Sequence, residues 1–505
     1  MQESKNSQFA SSIMNEEEKE EEEEKHDRFD SLPDDLIHLI LFYFNDTRDV
    51  VRKFILISKR WLKLCKSLPF LIFYRASFPQ DEELHDQNFI DFVDMVLLHH
   101  QDSPIFSFTL HWFYSSDDDA VIRNTNRWIH AALQRDVQEL VINTGQNEHF
   151  TYNIPYKLLN AKQLRKLRVN FFCVSGYSHI VLPDRIHLPN LKYLWLAGLS
   201  ISDESLTKKL LSSCPLLETL ELHDCDMRTD NKRTLTVDCP NLQRFEFVHL
   251  FPHVLSLNNT MARVLRLTAP NLQKFTCRSF FGQAYCLENC SPLSDVSFEM
   301  VLEDEDDASY KALTSLPVEI KKVYVKRVMQ FIRTVCKVKS MTLSSGILEV
   351  LSLALDMPDL QPPGLCNLQC LKIEMAFTKS SLRALAYLLK ITPIVDSVFL
   401  VSEESNLEDA GDEWGEGMVL PRMLSHLKFI QIEGMEGCDN ELRALQYLLR
   451  NAKVLMEVQL VFCSFVGAPE VEQFVEKVRG LPTTSSNMTI TKKQDFEEGQ
   501  MFGAE

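Results

Sequence analysis

The residue types that carry chemistry are present, but their spacing does not gather them. The chain has thirteen cysteines, and two pairs, Cys286-x3-Cys290 and Cys366-x3-Cys370, lie close in sequence. Neither pair has the two-residue gap or the nearby histidines of a structural zinc site, so they read as small buried residues at structural corners. His99-His100 lacks an acid at metalloprotease spacing. Carboxylates are abundant but fall in runs: Glu16 to Glu24, Asp304 to Asp307, and the stretch from Glu403 to Glu416. A general acid–base pair needs isolated carboxylates in a cleft, whereas a run repels itself into water. No phosphate-cradling glycine loop, GxSxG elbow or kinase set occurs. The expectation is no catalytic residue, no cofactor and no metal.

A chain without an active site acts through surfaces, and its internal period tells which elements display them. Five segments align: LPNLKYLWL from Leu188, CPLLETLEL from Cys214, CPNLQRFEF from Cys239, APNLQKFTC from Ala269 and CSPLSDVSF from Cys290. Their starts are 26, 25, 30 and 21 residues apart, a range that brackets leucine-rich repeats. In each, a small residue and a loop end one unit, a Leu enters the core, and a short alternating strand follows. Leu191, Leu194 and Leu196 are expected inward, with Lys192, Tyr193 and Trp195 outward. DESLTKKLLSSC between two strands fits a helix with Leu206, Leu210 and Leu211 inward. AKQLRKLRV from Ala161 is an earlier repeat; VKSMTL near Val338 and LCNLQCLKI from Leu365 are later ones. No repeat buries its apolar face alone, so the units must stack into a curved solenoid with a parallel sheet. Its exposed strand positions include Tyr193, Trp195, His223, Arg244, Glu246 and Lys274, and the following loops carry Asp224, Asp226 and His249. Aromatic and charged side chains there suit a protein partner.

Ahead of the array lies DRFDSLPDDLIHLILFYFNDTRDVVRKFILISKRWLKLC. Ser31 and Asp34 are spaced like a capping box, and Pro33 suits a first helical turn. Leu36, Leu39, Ile40, Tyr43 and Phe44 repeat on one helical face. Asn45 to Thr47 break that helix and start a second with Val50, Val51, Phe54 and Ile55. A third begins near Ser58 with Trp61, Leu64 and Cys65 inward. Three such helices bury too little to stand alone and must finish their core against something else. The order Leu32-Pro33-x-Asp35-Leu36-Ile37, Ile40-Leu41, Asp49-Val50-Val51-Arg52 and Ser58-Lys59-Arg60-Trp61 resembles the F-box, particularly the plant form. That resemblance implies a helical trio binding the small adaptor subunit of an SCF-type cullin–RING ubiquitin ligase. Leu32, Pro33, Leu36, Ile40 and Leu41 would form the adaptor-facing surface, with Trp61 bracing the third helix. Between Val51 and Ser58 the chain is about one residue longer than the family pattern.

Near the other end, strand, turn, helix and strand follow one another. Ile430 and Ile432 alternate with polar neighbours, Gly434 and Gly437 break the run, and Leu442, Leu445, Leu448 and Leu449 make a helical face. The wording Leu427-Lys428-x-Ile430-x-Ile432-x-Gly434, Glu441-Leu442 and Leu448-Leu449-x-Asn451-Ala452-x-x-Leu455 is similar to the FBD domain that follows F-boxes in many plant proteins.

These readings divide the chain into an acidic tail (1–26), an F-box (27–70), a leucine-rich solenoid (71–420), an FBD-like terminal repeat (421–495) and a tail (496–505). The fold class is α/β: a short three-helix F-box followed by the solenoid. Net charge is −18, a poor match for a phosphate backbone, so no nucleic acid is expected. Lys321, Lys322, Lys326, Arg327, Arg333, Lys337 and Lys339 form one basic stretch, read as a charged outer helix face or a phosphate site. No signal peptide or membrane-length apolar run is found, which places the thiols in a reducing cytosol or nucleus. The reading is an adaptor that joins a target protein to the ligase's small subunit and, through it, the cullin. The alternatives are a leucine-rich scaffold or receptor outside the ligase, and an enzyme with unrecognised motifs.

Overall fold

A computed structural model describes residues 32–78, 85–100, 103–113, 118–146, 151–173, 176–249, 264–280, 283–290, 292–301, 316–360, 364–402, 424–485 and 488–494. The acidic runs at Glu16, Asp304 and Glu403, and Ser31, lie outside them. The chain divides into two compact units, Met1–Ile142 and Asn143–Glu505. Among the described residues there are eleven α-helices.

The first unit opens with α1 (Asp34–Phe42), α2 (Thr47–Phe54) and α3 (Lys59–Cys65). Each start has a local cause. Pro33 is the N-cap of α1, one place before the helical position expected for it, with Asp34 and Asp35 in the first turn. Its side chain offers no cap, and Arg60 instead holds this end, bonding Asp34 at 2.8 Å and the Leu32 carbonyl. Asp46 caps α2 by accepting from the Arg48 N–H at 2.8 Å, and Ser58 caps α3 by accepting from Trp61 at 3.3 Å. Trp61, Leu64 and Cys65 are buried, as their spacing predicts, and the indole stacks on Phe54 at 4.9 Å.

The trio finishes its core on a pair of strands. β1 (Phe70–Tyr74) runs parallel to β2 (Ser107–Trp112). The Ile72 N–H donates to Thr47 Oγ1 at 2.8 Å, so α2 covers a backbone group along β1. Phe42 and Phe70 meet at 4.6 Å, and Arg48 lies 4.2 Å over the Phe78 ring. α4 (His85–His99) and α5 (Asp118–Leu133) pack together around Phe89, Trp112 and Trp128. The two indole N–H groups are satisfied by Asp86 and Asp94.

Next in the chain comes β3 (Glu139–Gln146). The second unit is built on a ladder of twelve parallel strands. They are β5 (Lys166–Cys173), β7 (Tyr193–Ala197), β9 (Thr219–His223), β12 (Arg244–Val248), β14 (Lys274–Phe280) and β16 (Asp295–Val301), followed by β17 (Ser340–Leu343), β18 (Cys370–Met375), β19 (Ser397–Ser402), β20 (Phe429–Met435), β21 (Glu457–Phe462) and β22 (Thr489–Gln494). Every aligned repeat therefore contributes one strand, and β19 is a strand outside the alignment. Burial alternates along them: Leu220 and Leu222, Phe245 and Phe247, Leu371 and Ile373 face the core. The repeat corners Cys214, Cys239 and Ala269 are buried, and burial pushes the first two thiols up to about 12, but Cys286, Cys290 and Cys370 are half-buried and Cys366 is exposed, which corrects their reading as buried corner residues.

Behind this ladder the second layer changes character along the chain. First come short parallel strands: β4 (Thr151–Asn153), β6 (Gly176–Val181), β8 (Leu199–Ile201) and β10 (Asp226–Met227), then β11 (Thr234–Asp238), β13 (Val264–Thr268) and β15 (Ala284–Glu288). α6 (Glu204–Ser212), capped by Asp203, is the helix read between two repeats. Helices then take over: α7 (Val318–Thr334), α8 (Ser345–Ala354), α9 (Lys379–Ile391), α10 (Asp439–Asn451) and α11 (Ala468–Arg479). Phe331 of α7 fills the change-over, 4.0 Å from Phe298 and 5.4 Å from Phe275. The basic stretch splits accordingly. Val325, Val328, Met329 and Ile332 of α7 are buried, while Lys322, Lys326 and Arg333 stand on its outer side.

A row of asparagines ties repeat to repeat beyond the sheet. Asn190, Asn241, Asn271 and Asn367, at the same place in four repeats, each donate Nδ2–H to a carbonyl one repeat earlier: Lys162, Pro215, Pro240 and Lys337. Toward the C-terminus, Glu441 is 1% exposed, and its carboxylate accepts the Glu436, Gly437 and Cys438 N–H groups at 3.1, 2.8 and 3.0 Å. Gly434 makes the preceding bend at φ +69, where a Cβ would come within 3.0 Å of the Ser402 carbonyl.

Glu441→Ala removes the buried acceptor of three half-buried backbone donors and is expected to lower unfolding free energy by about 2–4 kcal/mol in denaturant titration. Glu436→Ala, at a half-exposed neighbour, should stay within about 0.5 kcal/mol.

Candidate functional site

Two surfaces carry the residues singled out by sequence, one in each unit. In the first unit, α1 has two apolar sides. Ile37 and Leu41 point into the core at 1% and 2% exposure, whereas Leu36, Leu39, Ile40 and Tyr43 are exposed. The Leu36–Leu39–Ile40–Tyr43 stripe is thus real but outward, and Phe44 is only half-exposed. Leu41 corrects the expected adaptor-facing set: it is a core residue between the helices and β1, because the packing of α1 turns its side toward Val50 and Leu68. Leu32 is half-buried with its carbonyl held by Arg60, Pro33 is exposed, and Trp61 braces α3 from inside. The turn after α2 adds Leu56 and Ile57, at 89% and 53% exposure. So much uncovered apolar surface on one small module marks an interaction face.

In the second unit, register sets the solvent side of the ladder. Lys166, Tyr193, Thr219, Arg244 and Lys274 form one row, and Arg168, Trp195, Glu221, Glu246 and Thr276 the next. Side chains here engage one another closely. Lys166 lies 5.3 Å over Tyr193 and Arg168 lies 4.6 Å over Trp195. The Tyr193 hydroxyl donates to Glu221 at 2.8 Å, and the Trp195 ring meets His223 edge-on at 5.6 Å. His223 Nε2 is 3.2 Å from Glu246, a contact that draws the Glu246 carboxyl below its usual range. Trp195 is consequently only 9% exposed, so the expectation that it stands available outside is corrected: its row faces outward, but its neighbours cover it.

Glu221, His223 and Glu246 bring three ligand-type atoms within 4.8 Å of one another. Glu221 and Glu246 are directly opposite in register, an arrangement of like charges that needs a counter-charge. Lys274 and Arg244 supply it, since both act on Glu246. The cluster is a balanced protein network with cations of its own.

The loop residues expected on this face are a second correction. His249 is fully buried and Asp226 is 8% exposed. His249 sits against the Tyr177 hydroxyl at 3.3 Å and among Phe247 and Phe280 rings, and burial pulls its pKa down to about 4. Sequence missed another pair altogether: Phe399 and Phe429, half-exposed on β19 and β20 with ring centroids 5.4 Å apart. The alternation in SVFLVS was the signal, outside the aligned repeats.

A family model described as the LRR repeats of FBD-associated F-box protein At5g56370 matches residues 125–296, and the FBD model matches residues 418–460. A putative F-box/LRR-repeat protein of Arabidopsis thaliana, At3g58880, is 31% identical over 346 residues, covering 64% of this chain and 67% of that protein. The chain belongs to the F-box/LRR-repeat family. The Arabidopsis F-box/FBD/LRR-repeat protein At1g78750 is 25% identical over 91% of this chain and 95% of its own length, and F-box/LRR-repeat protein At3g58930 is 24% identical over 92% and 97%. The plant F-box resemblance at the N-terminus, the repeats and the C-terminal FBD segment thus occur in one F-box/LRR-repeat chain, and the FBD segment is the part that contains Gly434 and Glu441.

Neutral His249 makes a pH prediction for this family member. Its folded pKa lies below the ordinary 6.5, so its contribution to stability is present above pH 6.5 and is lost as pH falls toward 4. Wild type should lose about 3 kcal/mol more than His249→Gln between pH 7 and pH 4 in chemical unfolding. Parallel curves would contradict the burial of a neutral imidazole.

Proposed function

We propose that this F-box/LRR-repeat protein is the substrate-recognition adaptor of an SCF-type cullin–RING ubiquitin ligase. Its F-box docks to the small adaptor subunit, which links it to the cullin, and the solvent side of its parallel ladder holds a target protein. The observation that carries the reading is the outward apolar stripe of α1 with Leu56 and Ile57, on a trio whose opposite side is anchored to β1. A fixed module of this kind presents its apolar face in one orientation, which suits a permanent subunit contact.

No active site is required of such a protein. Ubiquitin transfer is performed elsewhere in the complex, and the adaptor raises the effective concentration of the target's lysines beside it. Work in the cytosol or nucleus suits a chain of thirteen thiols of which only six are buried. A second reading, a leucine-rich scaffold outside the ligase, is favoured by one feature: the lengthened turn from Ile55 to Ile57, which places Leu56 almost wholly in solvent.

Co-purification of the full chain with the ligase's small adaptor subunit separates the two. Wild type should form a stable complex; Leu36→Asp with Ile40→Asp, and Leu32→Ala with Pro33→Ala, should lose it while keeping wild-type circular dichroism. Leu41→Ala should instead lower stability by about 2–5 kcal/mol, as a core truncation does. A wild type that does not bind would transfer the reading to the scaffold, and variants that bind as well as wild type would overturn the assigned docking face.

A further inference from the structure

The two ends of the ladder's solvent side differ in what they leave uncovered. Around Tyr193 and Trp195 the aromatic rings are capped by Lys166 and Arg168, and their polar atoms are turned on one another. Along β18 to β21 the aromatic rings lack such caps: among the described residues no cation lies over Phe399 or Phe429. In register, Phe399 stands between Lys372 and Gln431, and Phe429 between Ser397 and Glu457. Val401, half-exposed, stands between Glu374 and Glu433.

The result is a small apolar centre of Phe399, Val401 and Phe429 edged by three carboxylates, with Lys372 as the one cation in these rows. Glu433 accepts a bond from Gln431 and Glu457 one from Thr491. A carboxylate offers about four acceptor sites, so such bonds leave room for an incoming donor. Half-exposed rings on a sheet face are the kind of anchor point that dominates protein–peptide binding energy. Flanking acids on both sides select the charge of what lies across them.

We propose that the solvent side of β18–β21 is a docking subsite for a basic, extended segment of the target protein, which lays one apolar or aromatic side chain against the exposed side of the Phe399–Phe429 pair and its Lys or Arg side chains against Glu374, Glu433 and Glu457. The inference rests on the adaptor reading for the word target, but the subsite itself does not depend on F-box docking. It also shifts the recognition surface away from Tyr193, Trp195, His223 and Arg244, whose partners lie within the chain.

The test uses the full chain, alone and with the adaptor subunit, and fluorescence anisotropy with synthetic peptides about nine residues long, enough to cross four strands. The probes carry a central Phe flanked by Lys and Arg, the same flanks with a central Ser, and the central Phe flanked by Glu and Asp. The basic Phe peptide should bind, and the other two should bind at least about tenfold more weakly. Phe399→Ser with Phe429→Ser should weaken it about tenfold, and Glu374→Gln with Glu433→Gln and Glu457→Gln should weaken it similarly and flatten its salt dependence. The triple Gln variant keeps side-chain shape, so it remains informative if the Ser variant fails to fold. Absence of binding to wild type, equal binding of the Ser or acidic peptides, or unchanged binding in the triple variant would overturn the subsite. Failure of adaptor co-purification would overturn the ligase reading and leave the peptide result standing.

Discussion

Everything in the second unit depends on one constraint: a single repeat has an apolar strand face that it cannot bury alone. Each strand of the ladder therefore needs both neighbours, for its backbone hydrogen bonds and for the cover of residues such as Leu220, Phe245 and Phe275. Parallel register keeps equivalent residues in rows, so the core side becomes a continuous stack of Leu, Ile and Phe. The same register makes the other side a lattice of side chains in which neighbours are fixed by the fold. The Asn donors that reach back one repeat add a tie where a strand cannot, at the turn entering it.

That lattice explains why the surface has unequal parts. Where oppositely charged and aromatic residues fall side by side, as at Lys166, Tyr193, Glu221 and Glu246, they satisfy one another and leave little for a partner. Where the rows bring aromatics together among like charges, as at Phe399 and Phe429, apolar area stays uncovered. In the first unit the same logic applies to a helix. α1 is apolar on two sides; one completes the core on β1 and the other stays uncovered in the chain.

Much of this is legible in the sequence, for reasons that can be named. The aligned strands, from Lys166 to Met375 and again at Phe429, follow from alternation after a turn, whereas β19 lies outside the alignment, and Trp61 follows from helical spacing behind a serine cap. The choice of face on α1 is not legible, because Leu36–Ile40 and Ile37–Leu41 are equally good apolar stripes and only packing against β1 separates them. Trp195 falls on the expected side, but its cover comes from Arg168 on the preceding strand and His223 on the following one, which only register brings together. His249 reads as a loop residue because histidine after a strand is usually solvated; Tyr177 and Phe280 from other segments, with Phe247 of the strand before it, bury it. Phe399 escapes because its repeat starts Thr392-Pro393-Ile394-Val395, with β-branched Val395 at the place where the aligned segments carry Leu.

The proposed contact with the ligase uses the uncovered face of α1 and the turn after α2, and it leaves the ladder available. Amide hydrogen exchange on the full chain, with and without the small adaptor subunit, tests this directly. Added protection should be confined to Pro33–Ile57, with β18 to β21 exchanging as in the free protein. Protection concentrated on the ladder, or none in the helical trio, would contradict the proposed contact.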